Sequence, residues 1–99
     1  MSSSVAPPLK FMFYVYLLQS LKDKKLYIGY TNDLRRRFAE HNKGESKSTR
    51  NRRPFRLVYY EAFLSQIDAK NRERKLKLFK NTYNHLKKRI VNSLLEHKF

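Results

Sequence analysis

Two short segments of strand-forming composition, separated by a brief polar stretch, constrain the fold more than any other feature of this chain. Residues 13–18 and Leu26–Thr31 are rich in Tyr, Val and Ile, and the polar stretch 20–25 lies between them. Aromatic and β-branched residues on either side of a short polar connection predict a β-hairpin. Gly29 lies inside the second segment, where a glycine weakens a strand and often marks the close approach of another backbone or a ligand.

A helix is predicted directly after the hairpin. Asn32 or Asp33 can cap its N-terminus, and Gly44 is placed to end it after about Lys43. The stretch 45–53 that follows carries four Lys or Arg residues and no apolar residue. This composition predicts an exposed basic loop.

The remaining elements are one strand and two helices. Phe55–Phe63 predicts a third strand, with Leu57 and Tyr59 on the same face. Residues 65–79 and 81–95 predict two helices. The order β-β-α-β-α-α indicates an α/β chain of the α+β class.

The length of the chain allows one domain, which we place at residues 11–95. Residues 1–10 are rich in Ser and Pro, which predicts a disordered tail. The chain has no Cys, so disulfides and thiolate metal sites are excluded. The apolar run 11–18 is far shorter than the roughly 20 residues that a membrane span needs. We therefore expect a soluble, cytoplasmic protein that does not bind membranes.

Positive charge is the strongest signal in the composition. Lys and Arg total 23 against 8 Asp and Glu, which gives a net charge of +15. Self-repulsion of this size works against a compact fold, so a polyanionic partner is the natural explanation. The basic residues are spread through the predicted elements and do not form one amphipathic stripe, which favours nucleic acid over an anionic membrane.

Two tyrosine-bearing strands are the first candidates for chemistry. Tyr14 and Tyr16 lie two residues apart on the first strand and share a face, and Tyr27 and Gly29 do so on the second. Neighbouring strands of a hairpin lie about 5 Å apart, so Tyr16 and Tyr27 can converge on one small site. Any one of these tyrosines also fits an ordinary core aromatic, and no single residue decides between the two interpretations.

The first helix places Arg37 and His41 on one face, because they lie four residues apart. The planar fork of Arg can donate two hydrogen bonds to a phosphate, and His can exchange a proton near neutral pH. The alternative is a solvated basic face with a surface histidine near the helix end.

Glu73 is the only acid in the otherwise basic stretch 70–75. It can neutralise its neighbours, for example through an ion pair with Lys77 four residues later. It can also serve as a metal ligand, because Mg²⁺ is typically held by one or two protein carboxylates, waters and substrate phosphate oxygens. The residues alone leave both interpretations open.

Four blocks in order resemble the GIY-YIG nuclease superfamily. They are Tyr14-Val15-Tyr16, Tyr27-Ile28-Gly29, residues 33–41 and residues 72–77. The chain looks most like the small stand-alone bacterial members, which are similar to the N-terminal domain of the nucleotide-excision-repair endonuclease. The resemblance covers roughly residues 11–90.

The resemblance implies a three-stranded antiparallel sheet flanked by helices, and hydrolysis of phosphodiester bonds with one Mg²⁺ or Mn²⁺ ion. It implies DNA as the partner more than RNA, and a link to repair or recombination. The residues that match the family's catalytic positions are Tyr16, Tyr27, Arg37, His41 and the metal ligand Glu73, with Gly29 as a structural glycine. Tyr14 stands in place of the glycine of the first triplet. Three residues are candidates for a polar position after the acidic helix: Asn81, Asn84 and His85.

The implied mechanism gives each residue a role. A metal ion on Glu73 contacts the scissile phosphate. Tyr16 as first choice, or Tyr27 as second, positions or deprotonates the attacking water, helped by nearby cations that favour the phenolate. Arg37 clamps the phosphate, and His41 orients a tyrosine or transfers a proton.

Seven further basic residues are expected to contact backbone phosphates, with plain solvation as the alternative. They are Lys47, Arg50, Arg52, Arg53, Lys70, Arg74 and Lys77. Two rival functions also fit the sequence: a catalytically silent nucleic-acid-binding module of the same fold, and a basic RNA-binding protein. Since no accessory DNA-binding domain is expected, a partner protein or a homodimer can complete the active unit.

Overall fold

The computed structural model describes residues 11–95, and their elements follow the predicted order. The strands are β1 (Phe13–Ser20), β2 (Leu26–Thr31) and β3 (Phe55–Phe63); the helices are α1 (Leu34–Lys43), α2 (Gln66–Leu78) and α3 (Lys80–Arg89). Short 3-10 turns occupy Arg50–Arg52 and Val91–Ser93. The tail expected at residues 1–10 lies outside the described residues. Within residues 11–95, no helix is both long and apolar enough to cross a membrane.

The three strands form one antiparallel sheet in the order β2-β1-β3, as the family resemblance implied. β1 is the central strand and is buried from Tyr14 to its end. Tyr16 is in register with Gly29 on one side and with Tyr60 on the other. Both edges of β1 are therefore paired with other strands, and the residues on its two faces pack into separate cores.

Alternate residues of β1 pack into these two cores. Val15 and Leu17 join Ala69 and Leu76 of α2 and Leu86 of α3 on one face of the sheet. The opposite face buries three further residues, and α1 packs against them. They are Tyr16, Leu18 and Phe55. The period of two in β1 thus sends Val15 and Leu17 to the core under α2 and α3, and Tyr16 with its hydroxyl to the face covered by α1.

The prediction that Leu57 and Tyr59 share a face was wrong. Leu18 pairs with Leu57, but the preceding Leu17 pairs with Tyr59, so the register shifts by one residue at Val58. An extra residue of this kind is a β-bulge, and it changes which side chains face each way. Leu57 packs beside α1, whereas Tyr59 packs in the core under α2 and α3.

The ends of α1 confirm the capping prediction. The Asp33 side chain accepts a hydrogen bond from the backbone N–H of Arg36 at 3.1 Å. Gly44 has the left-handed backbone (φ 82°) that ends a helix most easily with glycine. The loop after Gly44 turns back towards the sheet. Its burial corrects the expected exposed loop, since Ser46 and Thr49 are buried.

The final helix is shorter than predicted. The prediction ran over residues 81–95, but α3 begins at Lys80 and ends at Arg89. Ile90 leaves the helical conformation, and a 3-10 turn follows. The chain then returns to the sheet, where the backbone N–H of Leu95 donates to Oε1 of Gln19 at 2.8 Å. A 3-10 turn and this long-range hydrogen bond are therefore found where the end of the helix was predicted.

Candidate active site

The ring of Tyr16 forms the floor of the candidate site. A methyl group added at Gly29, its partner on β2, would overlap the Tyr16 ring and its hydroxyl oxygen. Gly29 is therefore required by the neighbouring side chain. The close approach predicted at this glycine is made by Tyr16, where a backbone or a ligand was expected.

His41 is fully buried beside Tyr16, which excludes the interpretation of a surface histidine. Its Nε2 lies 2.8 Å from the hydroxyl oxygen of Tyr16, and its Nδ1 lies 2.8 Å from Oγ1 of Thr49. The imidazole also makes edge-to-face contacts with the rings of Tyr27 and Phe55, at centroid distances of 5.1 and 6.0 Å. Both ring nitrogens thus have a partner inside the protein.

Burial fixes the protonation of this pair. Burial first, and then the charge of Arg37, lower the pKa of His41 to about 4. Burial first, and then Tyr27, raise the pKa of Tyr16 to about 12, although Arg37 acts in the opposite direction. The imidazole is neutral and the phenol keeps its proton at neutral pH. We assign the Tyr16 O–H as the donor to Nε2 of His41, and the Nδ1–H of His41 as the donor to Oγ1 of Thr49. With the phenol proton directed at His41, the lone pairs of the phenol oxygen can face the cation of Arg37.

Tyr27 and Arg37 are the accessible groups above this floor. Tyr27 is half-buried on the edge strand β2, with its ring 6.4 Å from the ring of Tyr16. The Arg37 side chain is 29% exposed; Nη1 pairs with Oε1 of Glu40 at 3.0 Å, and Nη2 donates to Oγ of Ser46 at 3.4 Å. These contacts hold one edge of the guanidinium and lower the pKa of Glu40.

Glu73 lies on α2 and acts on the site through its charge. Its negative charge raises the pKa of Tyr16, which brings the two residues into one electrostatic environment. The Glu73 side chain is 22% exposed, and its Oε2 lies 2.9 Å from Nζ of Lys77. The ion pair expected from the sequence is thus present, and the carboxylate is accessible at the same time.

The site thus has two layers. The buried layer consists of Tyr16, His41 and Thr49, and the accessible layer consists of Tyr27, Arg37 and Glu73. Within residues 11–95, no three His, Cys, Asp or Glu side chains gather closely enough to hold a metal ion by themselves. A single accessible carboxylate fits Mg²⁺ or Mn²⁺ only where waters and substrate phosphate oxygens supply the other ligands, which is the usual arrangement for Mg²⁺.

Comparison with known proteins assigns this chain to a family. Residues 12–93 match the family model described as the GIY-YIG catalytic domain. The chain belongs to the GIY-YIG family. The family is a nuclease family. The matched range includes both strand segments that carry Tyr16 and Tyr27.

The relatives are small proteins grouped as UPF0213. A UPF0213 protein of Haloquadratum walsbyi is 45% identical over 67 residues, which are 67% of this chain and 74% of the relative. One of Staphylococcus haemolyticus is 46% identical over 67 residues, which are 67% of this chain and 80% of the relative. The solution NMR structure of a UPF0213 protein of Bacillus halodurans shares 42% identity and covers 76% of this chain and 81% of its own, with a TM-score of 0.48.

Arg52, expected to contact nucleic acid, has a structural role in this GIY-YIG domain. Its Nε lies 2.8 Å from Oδ2 of Asp23, and this hydrogen bond is the main reason that the pKa of Asp23 falls to about 2. The backbone carbonyl of Arg52 also accepts from Oγ of Ser20 at 2.6 Å. Arg52 therefore ties the basic loop to the β1–β2 connection.

The other six basic candidates are exposed, as contact with phosphates requires. They are Lys47, Arg50, Arg53, Lys70, Arg74 and Lys77. Four of them already have defined side-chain contacts. Nζ of Lys70 lies 5.4 Å from the Tyr30 ring centroid, and Lys77 pairs with Glu73. Arg53 donates to the backbone carbonyl of Arg50, and Arg74 donates to Oδ1 of Asn71. The three candidates for the polar position after the acidic helix are exposed on α3, so burial does not choose among Asn81, Asn84 and His85.

Thr49, the hydrogen-bond partner of His41, was not predicted from the sequence as a residue of the site. Thr49 lies in an all-polar loop, and its burial depends on a fold that brings this loop beneath α1. One signal was available in principle. A buried histidine needs a partner for its second nitrogen, and the polar loop eight residues later offers hydroxyl groups.

Proposed function

We propose that this protein is a divalent-metal-dependent endonuclease that hydrolyses phosphodiester bonds of DNA, with a role in repair or recombination. One observation carries the proposal. A tyrosine and an arginine adjoin a buried Tyr16–His41 hydrogen bond, and a partly exposed carboxylate acts on Tyr16 through its charge, in a domain of a nuclease family. The net charge of +15 supports a polyanionic substrate.

Arg37 is the phosphate-binding residue in this proposal. One edge of its guanidinium is held by Glu40 and Ser46. The fixed fork can donate to phosphate oxygens and stabilise the charge that develops on them in the transition state. Its contacts to Glu40 and Ser46 orient the fork before substrate arrives, which reduces the entropy lost on binding.

Tyr27 is favoured over Tyr16 as the group that contacts the attacking water. Tyr16 was the first choice from the sequence, but its side chain is 1% exposed and its pKa is raised to about 12. Burial shields this phenol from water, and its raised pKa disfavours loss of the proton. Tyr27 is partly accessible and lies against both Tyr16 and His41. His41 is neutral and fully buried, so it acts as a positioning residue, which leaves direct proton transfer with solvent to other groups.

Glu73 would hold the metal ion, with Lys77 sharing or releasing its carboxylate. When bound, Mg²⁺ or Mn²⁺ supplies charge stabilisation at the phosphate and the leaving oxygen. The protein's own contribution is to present one carboxylate within the electrostatic reach of Tyr16. Exposed cations on α2 and on the basic loop are proposed to hold the neighbouring backbone phosphates.

The direct test is cleavage of a panel of labelled DNA molecules: single-stranded, duplex, flap and branched. Each is incubated with Mg²⁺, Mn²⁺ or chelator. Metal-dependent cleavage that stops with chelator is the expected result, and the panel identifies the preferred structure. Tight, salt-sensitive binding without cleavage of any substrate would contradict the proposal and favour the silent binding module. Preferred binding and no cleavage of a parallel RNA panel would favour the RNA-binding alternative.

A further inference from the structure

A cavity of about 550 Å³ lies beside the candidate site, on the same face of the sheet. Tyr14 of β1 and Tyr60 and Ala62 of β3 form one wall. The other wall is the entry to α1, from Asn32 to Leu34. The volume is within the range of small-ligand sites, which bury most of a ligand in a largely apolar cleft with a few polar groups.

The aromatic wall suits a planar ligand. The Tyr60 ring is 52% exposed, which is unusual for a large aromatic side chain in the middle of a strand. Its centroid lies 6.0 Å from that of buried Tyr14 in an edge-to-face contact, so Tyr14 supports it from the side. An exposed aromatic ring that is held in place by a second ring is a stacking platform for a nucleobase.

The opposite wall supplies polar groups and charge. Asn32 carries a side-chain amide, whose oxygen also accepts weakly from Arg36 at 3.5 Å. Arg35 and Arg36 line the cavity and are exposed; Arg36 is also paired with Glu40 and with Asp33, which lies on the same wall. An amide can hydrogen-bond a base edge, and the guanidinium groups can pair with the phosphate attached to it.

The cavity lies about one nucleotide from the proposed chemistry. Tyr14 precedes Tyr16 by two residues on β1, which is a distance of about 7 Å along a strand. Tyr60 is directly in register with Tyr16 across the sheet. A strand whose phosphate is bound by Arg37 can therefore reach the cavity with an adjacent base.

We propose that this cavity receives an unpaired nucleobase next to the cleaved phosphodiester, stacked on Tyr60. The inference rests on the proposed function and names its substrate class. A base inside the cavity cannot remain paired in a duplex, so the preferred substrates carry an unpaired nucleotide beside the cleavage site. Tyr60 is then a substrate-binding residue, and Tyr14 supports its ring.

Binding in the presence of chelator tests the cavity separately from cleavage. The probes are a labelled oligothymidine of about eight nucleotides and an all-abasic strand of the same length, which keeps the phosphates and lacks the bases. The variants are Tyr60→Thr, which keeps a strand-forming residue, and Tyr60→Phe, which keeps the ring. Phe79→Thr is the matched control, because Phe79 is an aromatic residue of similar exposure that does not line the cavity. Thermal unfolding verifies that each variant is folded.

We expect Tyr60→Thr to weaken oligothymidine binding roughly 5- to 100-fold, the range for loss of one base–aromatic stack. Tyr60→Phe and Phe79→Thr should stay within about twofold of wild type, and no variant should change binding of the abasic strand. Equal losses on both strands, or no loss on either, would overturn the proposal. If Tyr60→Thr loses binding only to the strand that carries bases, but the wild-type protein does not cleave DNA, the nuclease function is refuted and the base-binding cavity stands. If the wild-type protein cleaves DNA but Tyr60→Thr shows no base-dependent loss of binding, the cavity proposal is refuted and the nuclease function stands.

Discussion

The buried layer and the accessible layer of the candidate site lie in contact but differ in what they can do. In the buried layer, Tyr16 and His41 have shifted pKa values that fix their protonation, and each polar atom of the His41 ring has a protein partner. In the accessible layer, Arg37 and Glu73 carry charges that solvent and substrate can reach. In the proposed function, the buried layer positions the site and the accessible layer contacts the substrate. The sequence pattern does not distinguish these two groups of residues.

The two layers should therefore respond differently to substitution. Leaving a buried hydrogen-bonding group without its partner costs about 1–3 kcal/mol of stability. A substitution at an exposed position usually changes stability by less than about 0.5 kcal/mol. We expect changes in the buried layer to lower stability, and changes in the accessible layer to lower cleavage while stability is kept.

The largest expected effect short of complete loss of cleavage is in the accessible layer, from Arg37→Ala. Loss of a preorganised donor to the transition state should lower kcat roughly 100- to 1,000-fold, with little change in the unfolding temperature. Single-turnover cleavage and thermal unfolding measure the two effects. Arg37→Lys keeps the charge and loses the fork, so it should be intermediate. A matched loss with Lys88→Ala, an exposed cation on α3, would break the distinction between the layers.

The next effect concerns the pH dependence of stability in the buried layer. The pKa of His41 is lowered to about 4 in the folded protein, against about 6.5 in an unfolded chain. Since the unfolded state binds the proton first, the contribution of His41 is fully present above about pH 6.5. It is lost as the pH falls towards about 4, by an expected 2–3 kcal/mol. Urea unfolding across this range measures it.

Two controls sharpen that measurement. His41→Gln should flatten the pH profile, because it removes the buried imidazole whose pKa differs between the folded and unfolded states. Between about pH 5 and 6.5, Asp23 and Glu61 stay ionised in both states because their pKa values are ordinary or lower, so the slope there belongs to histidine. A slope that persists in His41→Gln would contradict the assignment.

Gly29→Ala tests the contact between the two strands at the floor of the site. The added methyl group would overlap the Tyr16 ring, and overpacking of this kind typically costs about 1–3 kcal/mol. Denaturant unfolding measures the loss. The double variant Gly29→Ala with Tyr16→Leu should recover part of it, because the obstructing ring is removed. Additive losses would mean that the Tyr16 ring is not the obstacle.

The smallest effect is expected from Thr49→Val, which removes the acceptor for Nδ1 of His41. The cost should be about 1–2 kcal/mol in unfolding free energy, because the imidazole N–H is left buried without a partner. Thr49→Ser keeps the hydroxyl and should retain most of the stability. Identical behaviour of the two variants would show that the hydroxyl does not contribute.

Local sequence signals predicted most of the fold. Asp33 and Gly44 marked the ends of α1, and strand alternation placed the rings of Tyr16 and Tyr27 together. These features depend on neighbours in the chain or on one hairpin. They could be predicted because capping chemistry and the period of a strand act over a few residues.

The features that escaped prediction depend on partners far away in sequence. The bulge at Val58 breaks an alternation that the residue types support. After α3 ends early, Leu95 contacts Gln19, 76 residues away in sequence. The burial of His41 requires a polar loop to fold beneath it. The burial of Tyr16 is the reason that we propose Tyr27 as the residue that contacts the attacking water.

The most direct test of the account compares metal-dependent DNA cleavage by Glu73→Gln and Glu45→Gln. Each removes one negative charge; Glu73 belongs to the accessible layer, and Glu45 is an exposed acid at the start of the basic loop. We expect Glu73→Gln to lose cleavage, while it keeps the unfolding temperature of the wild type and still binds DNA in the presence of chelator. We expect Glu45→Gln to cleave like the wild type. Full activity of Glu73→Gln, or equal loss in both variants, would contradict the account.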